Sequence, residues 1–161
     1  MSPSNPSATA PASPQSPTPN ALSLERQICY AMHTTVRAFD AVYRDLLSEH
    51  ALSYPQYIAL MTVGEHGPLT VGQLGELMHL DSGTLSPLLK RMESAGLVGR
   101  TRDPEDERRV QVSLTGVGRE RLDGLGDVPK RIAERSGLSR EAMLDLHRTL
   151  REITDNLGAL A

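Results

Sequence analysis

The 161-residue sequence has few of the residues that build several common classes of protein. It contains one cysteine, no tryptophan and only 3% aromatic residues. A single cysteine excludes an intrachain disulfide and fits a reducing cytoplasm better than a secreted, disulfide-rich fold. No apolar run approaches the roughly 20 residues that span a bilayer, and we expect neither a signal peptide nor a membrane partner. The scarcity of aromatics predicts a core of Leu, Val, Met and Ala, which suits packed helices.

The sequence also lacks a net positive charge. The formal net charge is −3, whereas nucleic-acid-binding domains are usually basic. Any DNA-binding function must therefore depend on where individual Lys and Arg residues lie, because the total charge does not favour it.

The N-terminal segment, residues 1–22, is rich in Ser, Pro and Ala. It holds six of the eleven prolines, and no charged side chain precedes Glu25. Such a composition cannot bury enough apolar surface to offset the entropy lost on ordering, so this tail is predicted to be disordered. The remainder, residues 23–160, is predicted to form a single domain.

Apolar residues after the tail recur at helical spacing, and capping residues mark where helices begin. Ser23 is the candidate N-cap of a long first helix that runs to about Glu49. Pro55 opens a second helix, which the glycines at 64 and 67 end. The later helices are expected at 71–78, 82–95, 116–135 and 140–157, capped by Thr70, Asp81-Ser82, Thr115 and Ser139.

The hydrophobic pattern changes from helical to alternating near residue 97. Leu97-Val98 and residues 110–114 are typical of two strands, with a polar stretch at 99–109 between them. A β-hairpin that directly follows a helix–turn–helix is a winged helix. The expected fold is therefore mainly α with a small β-wing: a winged helix–turn–helix DNA-binding domain at 54–114, flanked by N- and C-terminal helical dimerisation regions at 23–50 and 115–160.

The last predicted helix carries an apolar seam. Its apolar residues step by three and four, nearly as in a coiled coil, which indicates a partner helix. Because the long first helix also lies outside the winged helix, both terminal regions are expected to make a homodimer. The seam consists of Met143, Leu146, Leu150, Ile153 and Leu157.

Three segments together resemble one known family. Asp106-Glu107-Arg108, with Leu114-Thr115 and Gly118 beyond, resembles the wing motif of the MarR family of winged-helix transcription regulators. Residues 80–93 are similar to the recognition helix of its organic hydroperoxide resistance (OhrR) branch, and residues 53–57 to that branch's second-helix entry. Cys29 lies where the branch places its peroxide-sensing cysteine. Over about residues 24–157 the chain is identified as a one-cysteine member of this branch.

The resemblance implies a homodimeric repressor of transcription that binds a pseudo-palindromic operator in double-stranded DNA. One recognition helix per subunit would enter the major groove and each wing the minor groove. An organic hydroperoxide would oxidise Cys29 and release the DNA. With no second cysteine in the subunit, the resulting sulfenic acid is expected to be capped by a low-molecular-weight thiol, to form a sulfenamide or to be oxidised further.

The candidate DNA contacts lie on the fourth helix and in the wing. Hydroxyl groups near a helix start bond base edges or phosphates, and Lys and Arg neutralise phosphate charge. Arg108 would enter the minor groove, and Asp106 would support the wing. The alternative is a solvated helix face and a hairpin braced by surface ion pairs. The predicted contacts are Ser82, Thr84, Ser86, Pro87, Lys90, Arg91, Arg100, Arg108 and Arg109.

The candidate redox site centres on Cys29. A thiolate attacks hydroperoxides, so the thiol needs donors or positive charge nearby. The resemblance implies that Tyr43 and Tyr54 of the partner subunit hydrogen-bond the sensing cysteine. His33, one turn after Cys29, stands where a tyrosine is expected in the branch, and it either tunes the thiol or is an ordinary interface residue. The tyrosines could equally be interface packing, and an isolated cysteine is commonly inert.

Several rival functions use the same residues. A MarR-type repressor released by a small phenolic or aromatic ligand is the main alternative. A metal sensor would need more ligands than Cys29 and His33 supply. No oxyanion loop, phosphate-binding glycine motif or carboxylate pair accompanies the cysteine, so we expect no enzymatic activity and no cofactor. A winged helix that binds protein instead of DNA is a further alternative.

Overall fold

The computed structural model describes residues 23–102 and 110–158. The predicted tail, 1–22, and the predicted wing tip, with Asp106, Arg108 and Arg109, lie outside the described residues. The chain divides into two compact units, one ending at Val36 and the other beginning at Arg37. Within the described ranges, no helix is long and apolar enough to cross a membrane.

Helices dominate the described chain, and three short strands form one antiparallel sheet, so the expected mainly α winged-helix fold is confirmed. A 3₁₀ turn, Leu24–Arg26, precedes the first α-helix. The elements that follow are α1 (Ile28–Ser48), α2 (Tyr54–His66), β1 (Leu69–Thr70), α3 (Val71–Met78), α4 (Ser82–Ser94), β2 (Val98–Arg102), β3 (Val110–Leu114), α5 (Gly116–Asp123), α6 (Val128–Ser136) and α7 (Arg140–Gly158).

Side-chain caps explain why three helices begin where the sequence predicts. The Thr70 hydroxyl accepts a hydrogen bond from the Gln73 amide at 3.2 Å, and the Gln73 side chain accepts one from the Thr70 amide at 2.9 Å. Asp81 caps α4, and Thr115 caps α5 by accepting from the Gly118 amide at 2.9 Å. Each cap satisfies an amide that the first helical turn leaves unpaired.

The core of the second unit lies where the helix–turn–helix meets the sheet. Side chains that are 0% exposed come from α1, α2, α3, α4, β3 and α6, so all six elements share one interior. In the sheet, the strand order is β1-β3-β2, and Val112 pairs with Leu69 on one side and Arg100 on the other. The central residues are Leu46, Leu60, Leu74, Met92 and Val112.

Several sequence-based boundaries were wrong. Helix α1 begins at Ile28, because Ser23 makes no side-chain cap and a 3₁₀ turn intervenes. The single helix predicted at 116–135 is two helices, α5 and α6, with Gly124 as the C-cap of α5. Strand β1 was missed. Leu77, which its spacing in α3 predicts to face inward, is exposed.

Candidate DNA-binding surface and thiol site

The polar face of α4 carries every candidate DNA contact that the sequence places on this helix. Leu85, Leu88, Leu89 and Met92 turn to the core and are buried. The remaining face is open to solvent, so the structure brings the predicted contacts together on one surface. These exposed residues are Ser82, Thr84, Ser86, Pro87, Lys90 and Arg91.

The start of α4 is fixed by its cap. The Asp81 carboxylate accepts from the Thr84 amide at 2.9 Å and from the Thr84 hydroxyl at 3.1 Å. The bond from the Thr84 amide, followed by the one from the hydroxyl, holds the pKa of Asp81 below its usual value. The Thr84 hydroxyl therefore uses its one proton to donate to Asp81, and only its lone pairs remain to accept a hydrogen bond from a ligand. Ser82 and Ser86, two residues before and after it, are exposed.

Arg100, the one wing arginine of the predicted set that the structure describes, is engaged within the protein. Its Nε donates to Glu93 Oε2 at 2.9 Å, and its Nη2 donates to the same oxygen. This hydrogen bond, ahead of the charge itself, holds the pKa of Glu93 below its usual value. Arg100 thus joins β2 to α4. Arg108, Arg109 and Asp106 lie outside the described residues.

Tyr43 and Tyr54 lie side by side in the second unit. Their ring centroids are 4.7 Å apart, with the planes tilted by 52°. The buried ring of Tyr57 lies 5.9 Å from Tyr43 and 6.4 Å from Tyr54 and completes a cluster of three. Tyr57 was not predicted as a member of the site, although its spacing of three from Tyr54 on one helix places the two rings on the same face.

Burial makes these phenols harder to ionise. It raises the pKa of Tyr43 to about 12, and the neighbouring Tyr54 and Tyr57 add to the effect. Burial also raises the pKa of Tyr54 and of Tyr57. Because a phenol donates a hydrogen bond only while it holds its proton, the three groups remain donors well above neutral pH.

Tyr54 also borders an open pocket. The pocket has a volume of about 350 Å³ and is lined by residues of α1 and of the entry to α2. Its charged lining groups are Asp40 and Arg44, and Asp40 contributes, after burial, to the raised pKa of Tyr54. With its side chain 40% exposed, Tyr54 can meet a group that enters from outside the subunit.

The segment that leads into Tyr54 is held from α5 and α6. Arg121 of α5 donates to the backbone carbonyl of His50. Arg131 of α6 binds the Glu49 carboxylate with two bonds of 3.2 Å. The amide of Ser53 donates to the Gln56 side chain at 2.9 Å, which fixes the first turn of α2. These bonds set where Tyr54 stands.

Cys29 and His33 lie in the first unit, in the opening turns of α1, whereas Tyr43 and Tyr54 lie in the second. Cys29 is a free, exposed thiol, and His33 is exposed one turn later. The apolar side chains nearby in the sequence are exposed as well, including Ile28 and Val36. Across residues 23–102 and 110–158, no three His, Cys, Asp or Glu side chains are grouped to hold a metal ion.

A helix–turn–helix followed by a small antiparallel wing, with a polar face on α4, defines a winged-helix DNA-binding protein. The MarR family pattern matches residues 52–110. The chain is 43% identical over 125 residues to the organic hydroperoxide resistance transcriptional regulator of Bacillus subtilis, which covers 78% of this chain and 83% of that protein. The chain belongs to the MarR family and is a transcriptional regulator of that family.

Two further relatives agree with this assignment. The chain is 41% identical over 142 residues to the transcriptional regulator TtmR of Methylorubrum extorquens, covering 86% of this chain and 71% of TtmR. Reduced AbfR bound to DNA has a similar structure, with a TM-score of 0.72 and 29% identity over 85% of this chain and 94% of AbfR. AbfR is also known overoxidised on DNA and with a disulfide formed.

Proposed function

We propose that this regulator is a redox-sensing repressor that binds a pseudo-palindromic operator as a homodimer and leaves it when an organic hydroperoxide oxidises Cys29. The observation that carries the proposal is an exposed lone thiol in a chain that holds Tyr43 and Tyr54 side by side next to an open pocket. The similarity to the Bacillus subtilis regulator supports it.

Uncovered apolar faces support the homodimer. Helix α7 has no buried residue along its 19 residues, although Leu146, Leu150 and Leu157 are spaced as a seam. In the first unit, Ile28 is 66% exposed and Val36 58% exposed. Faces of this kind mark protein interfaces. In the proposed dimer the open pocket at Tyr54 receives the partner subunit's Cys29, so that each site contains groups from both chains.

The proposed chemistry begins with the thiolate. Its sulfur attacks the terminal oxygen of the hydroperoxide, the O–O bond breaks, and the alkoxide leaves and takes a proton to become an alcohol. Cys29 is then a sulfenic acid. A low-molecular-weight thiol can displace its hydroxyl group as water and form a mixed disulfide. Tyr43 and Tyr54 assist by donating hydrogen bonds to the thiolate, which stabilises the charged, reactive form of the sulfur.

The mixed disulfide is the proposed releasing state. AbfR has been found on DNA both reduced and overoxidised, and its disulfide form is a separate structure. A thiol-derived group on Cys29 is bulkier than added oxygen atoms, so we expect it to disturb the groups packed around the sulfur more than those atoms do. Mass spectrometry of the released protein checks this: a mass increase equal to the added thiol is expected, and a Cys29–Cys29 cross-link would contradict it.

An operator-binding titration tests the main proposal. Reduced protein is bound to a labelled operator fragment, treated with cumene hydroperoxide in the presence of a small thiol, and then treated with excess reductant. Release and then recovery are expected. If the hydroperoxide leaves the complex intact while a phenolic ligand dissociates it, the redox proposal fails. The pocket beside Arg44 and Tyr54 is the feature that favours such a ligand-released repressor as the second candidate.

Removing both phenol hydroxyls should make Cys29 less reactive. In Tyr43→Phe/Tyr54→Phe the thiolate loses two donors, each worth about 1.5–3 kcal/mol to a charged acceptor. Reaction of Cys29 at neutral pH should therefore slow about tenfold or more. Alkylation rates measured against pH report on Cys29 alone, since no other cysteine is present.

The matched control for this double variant is Tyr57→Phe. It removes a hydroxyl from the same ring cluster, but from the member whose side chain is only 4% exposed. Its alkylation profile should match that of the wild type. If the double variant also keeps the wild-type profile, the two phenols do not act on the thiol.

Arg108→Ala should weaken operator binding. By the family resemblance, Arg108 places a guanidinium in the minor groove, and its loss should lower the slope of log affinity against log salt by about one counterion for each arginine removed. A salt series of operator titrations measures that slope. An affinity and slope equal to those of the wild type would remove Arg108 from the interface.

A further inference from the structure

We propose that Glu93 and Arg100 form a clasp that sets the wing against α4, and that Arg100 supports operator binding as a positioning residue without contacting DNA. Arg100 was predicted from the sequence to contact DNA, and Glu93 was not predicted to have a role. The proposal concerns DNA binding only and does not depend on redox sensing.

The geometry of the clasp commits Arg100 to the protein. Two of its nitrogens, Nε and Nη2, donate to a single carboxylate oxygen of Glu93. Two donors on one acceptor fix the plane of the guanidinium as well as its position. For Arg100 to bind a phosphate in the same way, these bonds would have to break and leave the Glu93 carboxylate facing the DNA.

The clasp lies where the wing leaves the core. Met92 precedes Glu93 in α4 and is 0% exposed, and Val98, which opens β2, is 2% exposed. Arg100 is the next residue on the same face of the strand, opposite the buried Val112 of β3. Toward the tip, Thr101 and Arg102 are exposed. The ion pair is therefore the outermost described link between β2 and α4.

The chemistry of the pair makes it persistent but not essential for folding. Arg100 keeps its charge in any binding buffer, and the pKa of Glu93 is held below its usual value by the hydrogen bond from Arg100. The side chains of Arg100 and Glu93 are 33% and 40% exposed, so the ion pair adds little to global stability. Variants of either residue should fold, and a change in operator binding can then be assigned to the wing.

The test is a thermodynamic cycle on the full chain. Operator affinity is measured over a salt series for the wild type, Glu93→Gln, Arg100→Gln and the double variant. Each single variant should bind about three- to tenfold more weakly, the double variant should be no weaker than either, and the salt slope should stay at the wild-type value. Arg100→Lys, which keeps one charged donor, should recover part of the loss.

Two controls accompany the cycle. Arg148→Gln removes the same charge from another exposed ion pair, with Asp145 in α7, and should leave operator affinity unchanged. Lys90 lies on the exposed face of α4. Lys90→Gln should therefore lower the salt slope, and that decrease would show that the assay detects the loss of one phosphate contact. Thermal unfolding midpoints should agree among all the variants.

Two results would overturn the proposal. If Glu93→Gln tightens binding while Arg100→Gln weakens it and lowers the slope by roughly 0.9 per lost phosphate contact, Arg100 binds DNA and Glu93 competes for it. If neither single variant changes operator affinity, the clasp has no role in placing the wing.

Discussion

Gly118→Ala is expected to destabilise the protein by about 1–3 kcal/mol or more, because the added methyl group has no room. A Cβ at this position would lie 1.9 Å from the carbonyl oxygen of Leu97 and 2.9 Å from its carbonyl carbon. Both atoms belong to the backbone, so no side-chain rotation relieves the clash. Relief requires α5 to move away from the turn that joins α4 to β2.

That movement would break the bonds that dock α5. The Thr115 amide donates to Leu97 O at 3.1 Å, and the Thr115 hydroxyl donates to Gly96 O at 2.5 Å. Because the same turn connects α4, which carries the candidate DNA contacts, to the wing, operator affinity should fall together with the unfolding midpoint. A domain of this size loses roughly 2–8 °C for each kcal/mol, so calorimetry resolves the change.

Gly116→Ala is the matched control on the same helix. A Cβ there meets nothing within 4 Å, and the position is helical, so this variant should unfold at or slightly above the wild-type temperature. Equal midpoints for the two alanine variants would show that α5 does not pack closely on Leu97 in solution.

Local chemistry decided which helices could be predicted from the sequence. Helix starts could be predicted because each cap is a hydrogen bond between residues only three positions apart, as at Thr70, Asp81 and Thr115. By contrast, apolar spacing continues through Leu125 and Val128 at the break between α5 and α6, so periodicity alone indicated one helix. The break follows from the glycines at 124 and 126 and from the burial of Leu125 and Val128 against the rest of the core, which the spacing of apolar residues alone does not reveal.

Non-local pairing explains the remaining errors in the fold. Strand β1 is two residues long and exists because Leu69 and Thr70 pair with β3, more than forty positions away in the chain. No alternating pattern can develop in two residues. The order of the helices and the wing, in contrast, followed from caps, glycines and one change of period.

In the candidate sites, too, features set by local spacing could be predicted and features set by distant contacts could not. The exposed face of α4 followed from helical spacing, because the leucines that face the core define the opposite side. The approach of Tyr43 to Tyr54 depends on how α1 packs on α2, and only the family resemblance anticipated it. The bond between Arg100 and Glu93 requires the chain to reverse at Gly96, where φ is +69°, and spacing alone gives no sign of it.

Cys29→Ser is expected to keep operator DNA bound under hydroperoxide and small-thiol concentrations that release the wild type. Serine replaces the sulfur with an oxygen that hydroperoxides do not oxidise, and it is nearly the same size as cysteine, so the change should disturb the surrounding packing little. The reduced variant should therefore bind operator as tightly as the reduced wild type. On oxidation the wild type should lose about 5- to 150-fold in affinity, the usual range of allosteric coupling, and the variant should lose none.

The variant also separates oxidation of Cys29 from damage elsewhere. The chain has six methionines, of which Met32 and Met61 are more than one-third exposed and open to sulfoxide formation. If organic hydroperoxide weakens both proteins equally in anisotropy titrations, the sensor is not Cys29. Parallel titrations with hydrogen peroxide measure which oxidant the protein prefers. That preference is where an effect of His33, which stands in place of the expected tyrosine, would be seen. The contrary result is a phenolic ligand that releases the Cys29→Ser variant as readily as it releases the wild type. That result would identify a repressor controlled by a ligand, in which Cys29 has no sensing role.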